Sequence, residues 1–257
     1  MAASISRRLL GLIISCLMIN QVCGGIEAPK VKLDLYYESL CPFCANFIIN
    51  PNGGLPVLFQ SGLIDIVDLR LFPWGNAWFT SNNSFVCQHG PDECLFNTIE
   101  ACAIEAWPTL DGHFPFITCV ESLLYEGKYT EWETCFDRLG LDPTPVTTCY
   151  KGETGKKLNL KYASLTAALD PPHEYVPWVV VDGEPLLEDY GNFISYICKV
   201  YKGSPPSACS KETFKSLSRK KINHVYPVCY AEQTLKVSPW MKLRSILSSW
   251  VDKFMMI

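Results

Sequence analysis

Val31-Lys32-Leu33-Asp34-Leu35-Tyr36-Tyr37-Glu38-Ser39-Leu40-Cys41-Pro42-Phe43-Cys44 is the stretch on which the fold turns. Apolar residues at 31, 33 and 35 alternate with polar ones, the period of a half-buried strand. The strand runs straight into a Cys-x-x-Cys motif, and Ala45 to Ile49 behind it predicts a helix. Pro51-Asn52-Gly53-Gly54 breaks that helix after about two turns. Leu55 to Leu63 resumes it, and Ile64 to Phe72 alternates again as a second strand. Strand, helix and strand in this order make a βαβ unit, which favours a parallel sheet.

Further along, Pro73 to Phe85 reads as loop, and Asp92 is placed to cap a helix from Glu93 to about Ala106, ended by Pro108. Helical stretches follow over 114–125, 131–139 and about 146–168, and Asp170-Pro171-Pro172 closes the block. Val176 to Asp182 (VPWVVVD) is a buried strand, Gly183 a turn, and Glu184 to Leu187 a short partner strand. Tyr190, Phe193, Ile194, Ile197, Cys198 and Tyr201 then recur at helical spacing. The order βαβ, helical block, ββα predicts an α/β, thioredoxin-like fold with a helical insertion between its halves. The domain is expected over 26–203, with the insertion at about 86–172.

The two ends differ from this body. Arg7-Arg8, an apolar run from Leu9 to Ile19 and small residues at Cys23-Gly24-Gly25 make residues 1–25 a signal peptide. That run is short for a membrane span. Beyond Ser204-Pro205-Pro206-Ser207 lies a basic tail over 204–257, with nine Lys/Arg against three Asp/Glu from Lys211 onward. Trp240, Leu243, Leu247, Trp250 and Phe254 follow a helical stripe in it. It reads as a helix docked on the body, a membrane-surface or partner helix, or a segment open to trimming.

The net charge of −4 conceals an acidic body and a basic tail, which argues against nucleic acid as partner. Thirteen cysteines behind a signal peptide point to an oxidising compartment on the secretory route. Asn82-Asn83-Ser84 is a glycosylation sequon with Asn82 as acceptor, consistent with that route.

Cys41-Pro42-Phe43-Cys44 carries the chemistry. A cysteine just ahead of a helix meets unpaired backbone N–H groups and the positive end of the helix dipole. Both favour thiolate, the attacking species in disulfide exchange. Cys41 is therefore the expected nucleophile and Cys44 the resolving thiol, which closes a Cys41–Cys44 bond when the reduced substrate leaves. A zinc reading needs a second ligand pair, and Cys87-Gln88-His89 with Cys94 is the only rival cluster. Val176-Pro177 is the expected substrate-positioning segment: a proline opening the strand after the helical block is where thioredoxin-like folds place a cis-proline beside the CxxC.

Residues 87–102, CQHGPDECLFNTIEAC, match every fixed position of a CQHG-x-x-EC-x-x-N-x-x-x-x-C signature. In this the chain resembles the gamma-interferon-inducible lysosomal thiol reductase family. Pro73-Trp74-Gly75-Asn76-Ala77 and Tyr175-Val176-Pro177-Trp178 are similar to that family's loop after the second strand and its cis-proline segment. The similarity runs from about Val31 to Val200; the Pro51–Gly54 break and the basic tail lie outside the shared pattern. The resemblance implies a soluble glycoprotein that reduces disulfide-bonded proteins at acid pH. It implies no bound cofactor and small thiols as reductant. It carries the catalytic pair onto Cys41 and Cys44. The expected location is the secretory pathway, ending in a lysosome, a vacuole or the exterior.

No metal is expected, and Cys87, Cys94, Cys102, Cys119, Cys135, Cys149, Cys198 and Cys209 are candidates for structural disulfides. Cys94 and Cys102 lie two turns apart on one predicted helix and cannot bond each other. The roles of Gln88, His89 and Asn97 are open: hydrogen bonding within the insertion, or, for His89, proton transfer. Removal of the signal leaves nine cysteines besides Cys41 and Cys44. A cut between Cys209 and Cys229 would leave eight, and the tail is expected to be separable from the core; otherwise Cys229 is free or bridges to another chain. Three other functions stay open: oxidase or isomerase in the endoplasmic reticulum, a binding module whose Cys41–Cys44 bond is only structural, and a zinc module.

Overall fold

The computed structural model describes residues 28–80, 84–210 and 226–231. The signal peptide, Asn82 and the stripe over 240–254 lie outside them. In chain order come β1 (Val31–Tyr37), α1 (Pro42–Ile49), α2 (Pro56–Gln60), β2 (Val67–Pro73) and a small hairpin of β3 (Trp78–Phe79) and β4 (Phe85–Val86). The helical block is α3 (Pro91–Ala106), α4 (Leu110–Tyr125), α5 (Thr134–Leu139), α6 (Thr144–Lys151) and α7 (Glu153–Ala167). Then follow β5 (Tyr175–Val176), β6 (Trp178–Val181), β7 (Glu184–Pro185), α8 (Phe193–Val200) and β8 (Cys229–Tyr230).

The main sheet has the order β2-β1-β6-β7. β1 pairs in parallel with β2, Leu33 opposite Leu69, and antiparallel with β6, Leu35 opposite Val179. This is the thioredoxin-like α/β plan with its helical insertion. The sequence pattern suggested a half-buried β1, but the strand is central and covered on both faces. Leu33, Leu35 and Tyr37 pack with Val179, Val181, Phe47, Phe193 and Ile197 on one side. Tyr36 packs with Phe72, Trp178, Val180, Ile99 and Tyr162 on the other. The insertion thus supplies the second layer, α3 and α7 lying over β2. Each large side chain buried this way contributes about 1.5–3 kcal/mol. Asp34 looked like a solvent-facing position; it is buried, and Arg70 donates to both its oxygens at 2.6 Å.

Three local expectations shift. Gly62 sits at φ +71 and starts a 3-10 turn over Leu63–Ile66, so β2 begins at Val67 rather than Ile64. Asp92 lies inside the first turn of α3 and does not cap it. No side chain caps the helix; Glu93 instead holds the loop ahead of it, its carboxylate accepting from the backbone N–H groups of Gln88 at 3.2 Å and His89 at 2.9 Å. The long helix read over 146–168 is two, parted at Gly152. The body also continues past Gly203, since Ala208 is buried in the core and Cys209 is bonded to Cys198. Among the described residues no helix is long and apolar enough to cross a membrane.

Candidate active site

Cys41 ends the turn after β1 and occupies the N-cap position of α1, with Pro42 in the first helical position. Proline is suited to that position because its missing N–H has no intrahelical acceptor to lose. The carbonyl of Cys41 accepts the first helical bond from Ala45 N–H at 3.0 Å. Its sulfur lies 3.9 Å from the carbonyl oxygen of Val176. The Val176–Pro177 peptide is cis. The tertiary fold therefore brings the segment singled out around Pro177 against the first cysteine of the motif, across 135 residues of sequence.

The sulfur pairing differs from the sequence expectation. Cys41 is bonded to Cys229, and Cys44 carries a free thiol. A Cys41–Cys44 bond, catalytic or structural, is not the state observed. Neither alternative for Cys229 describes the structure either: it is not free and does not reach another chain. The other eight cysteines among the described residues form four bridges, Cys87–Cys94, Cys102–Cys149, Cys119–Cys135 and Cys198–Cys209. Cys87 and Cys94, the core of the zinc alternative, are spent on each other. The described residues do bring Glu38, His89 and Cys229 within 4.8 Å of one another, a cation-sized cluster. The Cys229 sulfur, however, is committed to its bridge.

Behind Cys41 lies a buried polar network. Cys44 is fully buried, and burial first, then the nearby Glu38 carboxylate, pushes its thiol well above the ordinary range. Glu38, also fully buried, accepts from Asn76 N–H at 2.8 Å and from its side-chain amide at 3.4 Å. Burial and the Glu93 carboxylate raise the Glu38 carboxyl well above the usual carboxylate range. His89 Nδ1 stands 2.5 Å from Glu93 and 3.5 Å from Glu38. The loop can close on Glu38 because residue 75 is glycine. It has φ +59, and an added Cβ would stand 2.5 Å from Glu38 Oε2.

This geometry accounts for residues whose role the sequence left open. Asn97 accepts from Ser39 N–H at 2.9 Å and so ties the turn before Cys41 to α3. Ser39 Oγ donates to the Glu93 carbonyl at 3.3 Å. His89 joins the two glutamates, and Gln88 Nε2 donates to the carbonyl of Tyr230 at 2.7 Å. Cys87–Cys94 clamps the start of α3, and Cys102–Cys149 fastens it to α6. Glu38, Gly75 and Asn76 went unread as site residues. A glutamate three positions ahead of the CxxC, at the end of an apolar strand, was the available signal.

A second buried acid group lies deeper. Tyr37 Oη donates to Glu100 Oε2 at 2.5 Å. Burial raises the Glu100 carboxyl to about 7, and burial together with Glu100 pushes the adjacent Glu121 well above the usual range.

The chain is similar to several known proteins. Residues 32–139 match the family model described as gamma interferon inducible lysosomal thiol reductase. An Arabidopsis thaliana protein, "Gamma-interferon-responsive lysosomal thiol protein", is 41% identical over 79% of this chain and 84% of its own. A Carassius auratus "Gamma-interferon-inducible lysosomal thiol reductase" is 37% identical over 76% of this chain and 78% of its own. Among solved structures, Chlamydia trachomatis DsbA aligns over 69% of this chain and 89% of its own, at a TM-score of 0.48 and 12% identity. With the signature folded around a CxxC and identity of this extent, the chain belongs to the gamma-interferon-inducible lysosomal thiol reductase family.

Proposed function

We propose that this thiol–disulfide oxidoreductase reduces protein disulfides through Cys41 as nucleophile and Cys44 as resolving thiol. The observation that carries the assignment is the placement of Cys41, at the N-cap of α1 and 3.9 Å from the Val176 carbonyl oxygen beside Pro177, and the sulfur pairing accords with it. Cys41 is in disulfide linkage to a cysteine from a distant segment while Cys44, one helical turn behind it, keeps its thiol. That is the arrangement of a mixed disulfide awaiting resolution.

In the cycle, the Cys41 thiolate attacks one sulfur of a substrate disulfide, and the other sulfur leaves as a thiolate that takes up a proton. Cys44, deprotonated, attacks the Cys41 sulfur. The second substrate sulfur leaves and is protonated in turn, and Cys41–Cys44 closes. Two equivalents of a small thiol restore the dithiol and are oxidised to their disulfide. The α1 N-terminus favours the Cys41 thiolate both as attacking and as leaving group. Burial raises the Cys44 thiol while Cys41 is bonded to Cys229, which slows resolution and lets the bridged state persist.

Five bridges and the leader sequence support residence in an oxidising compartment. An acidic, lysosome- or vacuole-like organelle suits a nucleophile placed at a helix N-terminus while ordinary thiols with pKa near about 8.5 lie idle. Asn82 is the proposed glycosylation site. The test is reduction of a disulfide-bonded protein at pH 4.5 and 7 by wild type, Cys41→Ser and Cys44→Ser, all pre-reduced. Activity in wild type alone, with Cys44→Ser accumulating a covalent substrate adduct, is expected. Equal behaviour of the three folded proteins would remove the assignment.

A further inference from the structure

Tyr226 to Ala231 lies against the body as a short extended segment, joined to Cys41 through the Cys41–Cys229 bridge. β8 pairs antiparallel with β5, Tyr230 opposite Tyr175 and Cys229 opposite Val176, immediately before Pro177. Ala231 N–H donates to the Glu174 carbonyl at 2.9 Å and lengthens that ladder by a step. Three carbonyls of the segment are held by side chains of the body. Tyr190 Oη donates to Pro227 at 2.9 Å, Asn76 Nδ2 to Cys229 at 3.1 Å and Gln88 Nε2 to Tyr230 at 2.7 Å. The Tyr226 ring packs tilted against Tyr190 at 5.0 Å between ring centres, and Tyr230 packs edge-on against Tyr175 at 5.6 Å. Gly191 leaves the room: a Cβ there would stand 2.0 Å from the Tyr226 ring.

We propose that this segment is an internal substrate, a strand of the chain's own tail that fills the substrate groove and holds the enzyme latent as a mixed disulfide between Cys41 and Cys229. The inference rests on the reductase assignment and deepens it. A purely structural bridge would use the nucleophile as a staple, although the eight remaining cysteines already pair among themselves. The recognition is of main chain, by β-addition and by side-chain amides and a phenol donating to carbonyls, so it does not depend on one sequence. What it selects is an extended segment with a cysteine opposite Val176, an aromatic residue one place after it and another three places before. That is the class of protein disulfide the groove takes, and Asn76, Gln88 and Tyr190 are its positioning residues.

Release balances without an oxidant. Cys44 loses its proton and attacks the Cys41 sulfur; the Cys41–Cys229 bond breaks, Cys41–Cys44 forms, and the Cys229 thiolate takes up a proton beside His89 and Glu38. Two equivalents of a small thiol then reduce Cys41–Cys44 and leave as their disulfide. Because the tail is tethered, Cys229 competes for Cys41 at high effective concentration whenever reductant is scarce. Latency is thus set by thiol supply.

The experiment uses the full secreted chain. Thiols are quenched in acid, alkylated after unfolding, and peptides mapped without reduction. A Cys41–Cys229 peptide with alkylated Cys44 is expected. Reduction of a disulfide-bonded protein by unreduced enzyme with a small thiol as donor should show a lag that shortens as the thiol is raised. Pre-reduced enzyme and Cys229→Ser should start without it. Gln88→Ala, which leaves the bridge chemistry intact, should shorten the lag and raise KM. A map joining Cys41 to Cys44 in the wild type, or an equal lag in Cys229→Ser, would overturn the internal substrate while the reductase stands. A Cys41–Cys229 peptide with no reduction by pre-reduced enzyme or Cys229→Ser would instead remove the reductase assignment, leaving the bridge a staple.

Discussion

Replacing Glu100 by glutamine should flatten the fall in stability between acid and neutral pH. Glu100 is fully buried, accepts the Tyr37 hydroxyl, and has its carboxyl raised from 4.5 to about 7 by burial. The sign follows from linkage. The unfolded chain releases this proton near 4.5 while the folded chain holds it, so the stabilisation is complete below about 4.5 and is lost as pH climbs through about 7. At about 1.4 kcal/mol for each pH step, the interval corresponds to about 3 kcal/mol. Glutamine keeps a carbonyl for the Tyr37 hydroxyl and never ionises. Glu100→Gln should thus match wild type at pH 4.5 and exceed it by about 3 kcal/mol at pH 7.5. In a domain of this size that is roughly 6–12 °C in Tm. Calorimetry across that range, disulfides intact, measures it. Parallel curves for the two proteins would refute the reasoning, because they would mean that the folded state does not hold the extra proton on Glu100.

Other perturbations test the frame around Cys41. Asn97→Ala leaves the buried Ser39 N–H without its acceptor and should cost about 1–3 kcal/mol in urea unfolding, with a larger loss in kcat than in KM. Gly75→Ala places a Cβ 2.4 Å from Glu38 Cβ at φ +59; a loss of at least about 1–3 kcal/mol and a displaced pH–rate profile are expected, and a wild-type profile would show that Glu38 does not influence the thiols. Removing Cys102–Cys149, 47 residues apart, should cost about 4 kcal/mol, and removing Cys87–Cys94, 7 apart, about 2 kcal/mol. Equal midpoint shifts for the two serine pairs would contradict the loop-length argument.

The sequence by itself determined what local patterning can encode. Alternation over 31–37, the break at Pro51–Gly54 and the order of elements set the thioredoxin-like plan, and the 87–102 signature set the family. Period alone could not show that β1 is covered on both faces, because Asp34 reads as solvent-facing until Arg70 and the insertion are in place. Nor could spacing pair the cysteines: thirteen of them allow many connectivities, and only the folded chain brings Cys229 to Cys41 across 188 residues. The same holds for Glu38, Gly75 and Asn76, whose meeting depends on a loop closing onto the end of a strand. Hydrophobic period and turn chemistry act over a few residues and survive in the sequence as pattern. Buried hydrogen bonds and sulfur pairing depend on distances between remote segments, which only the packed core fixes.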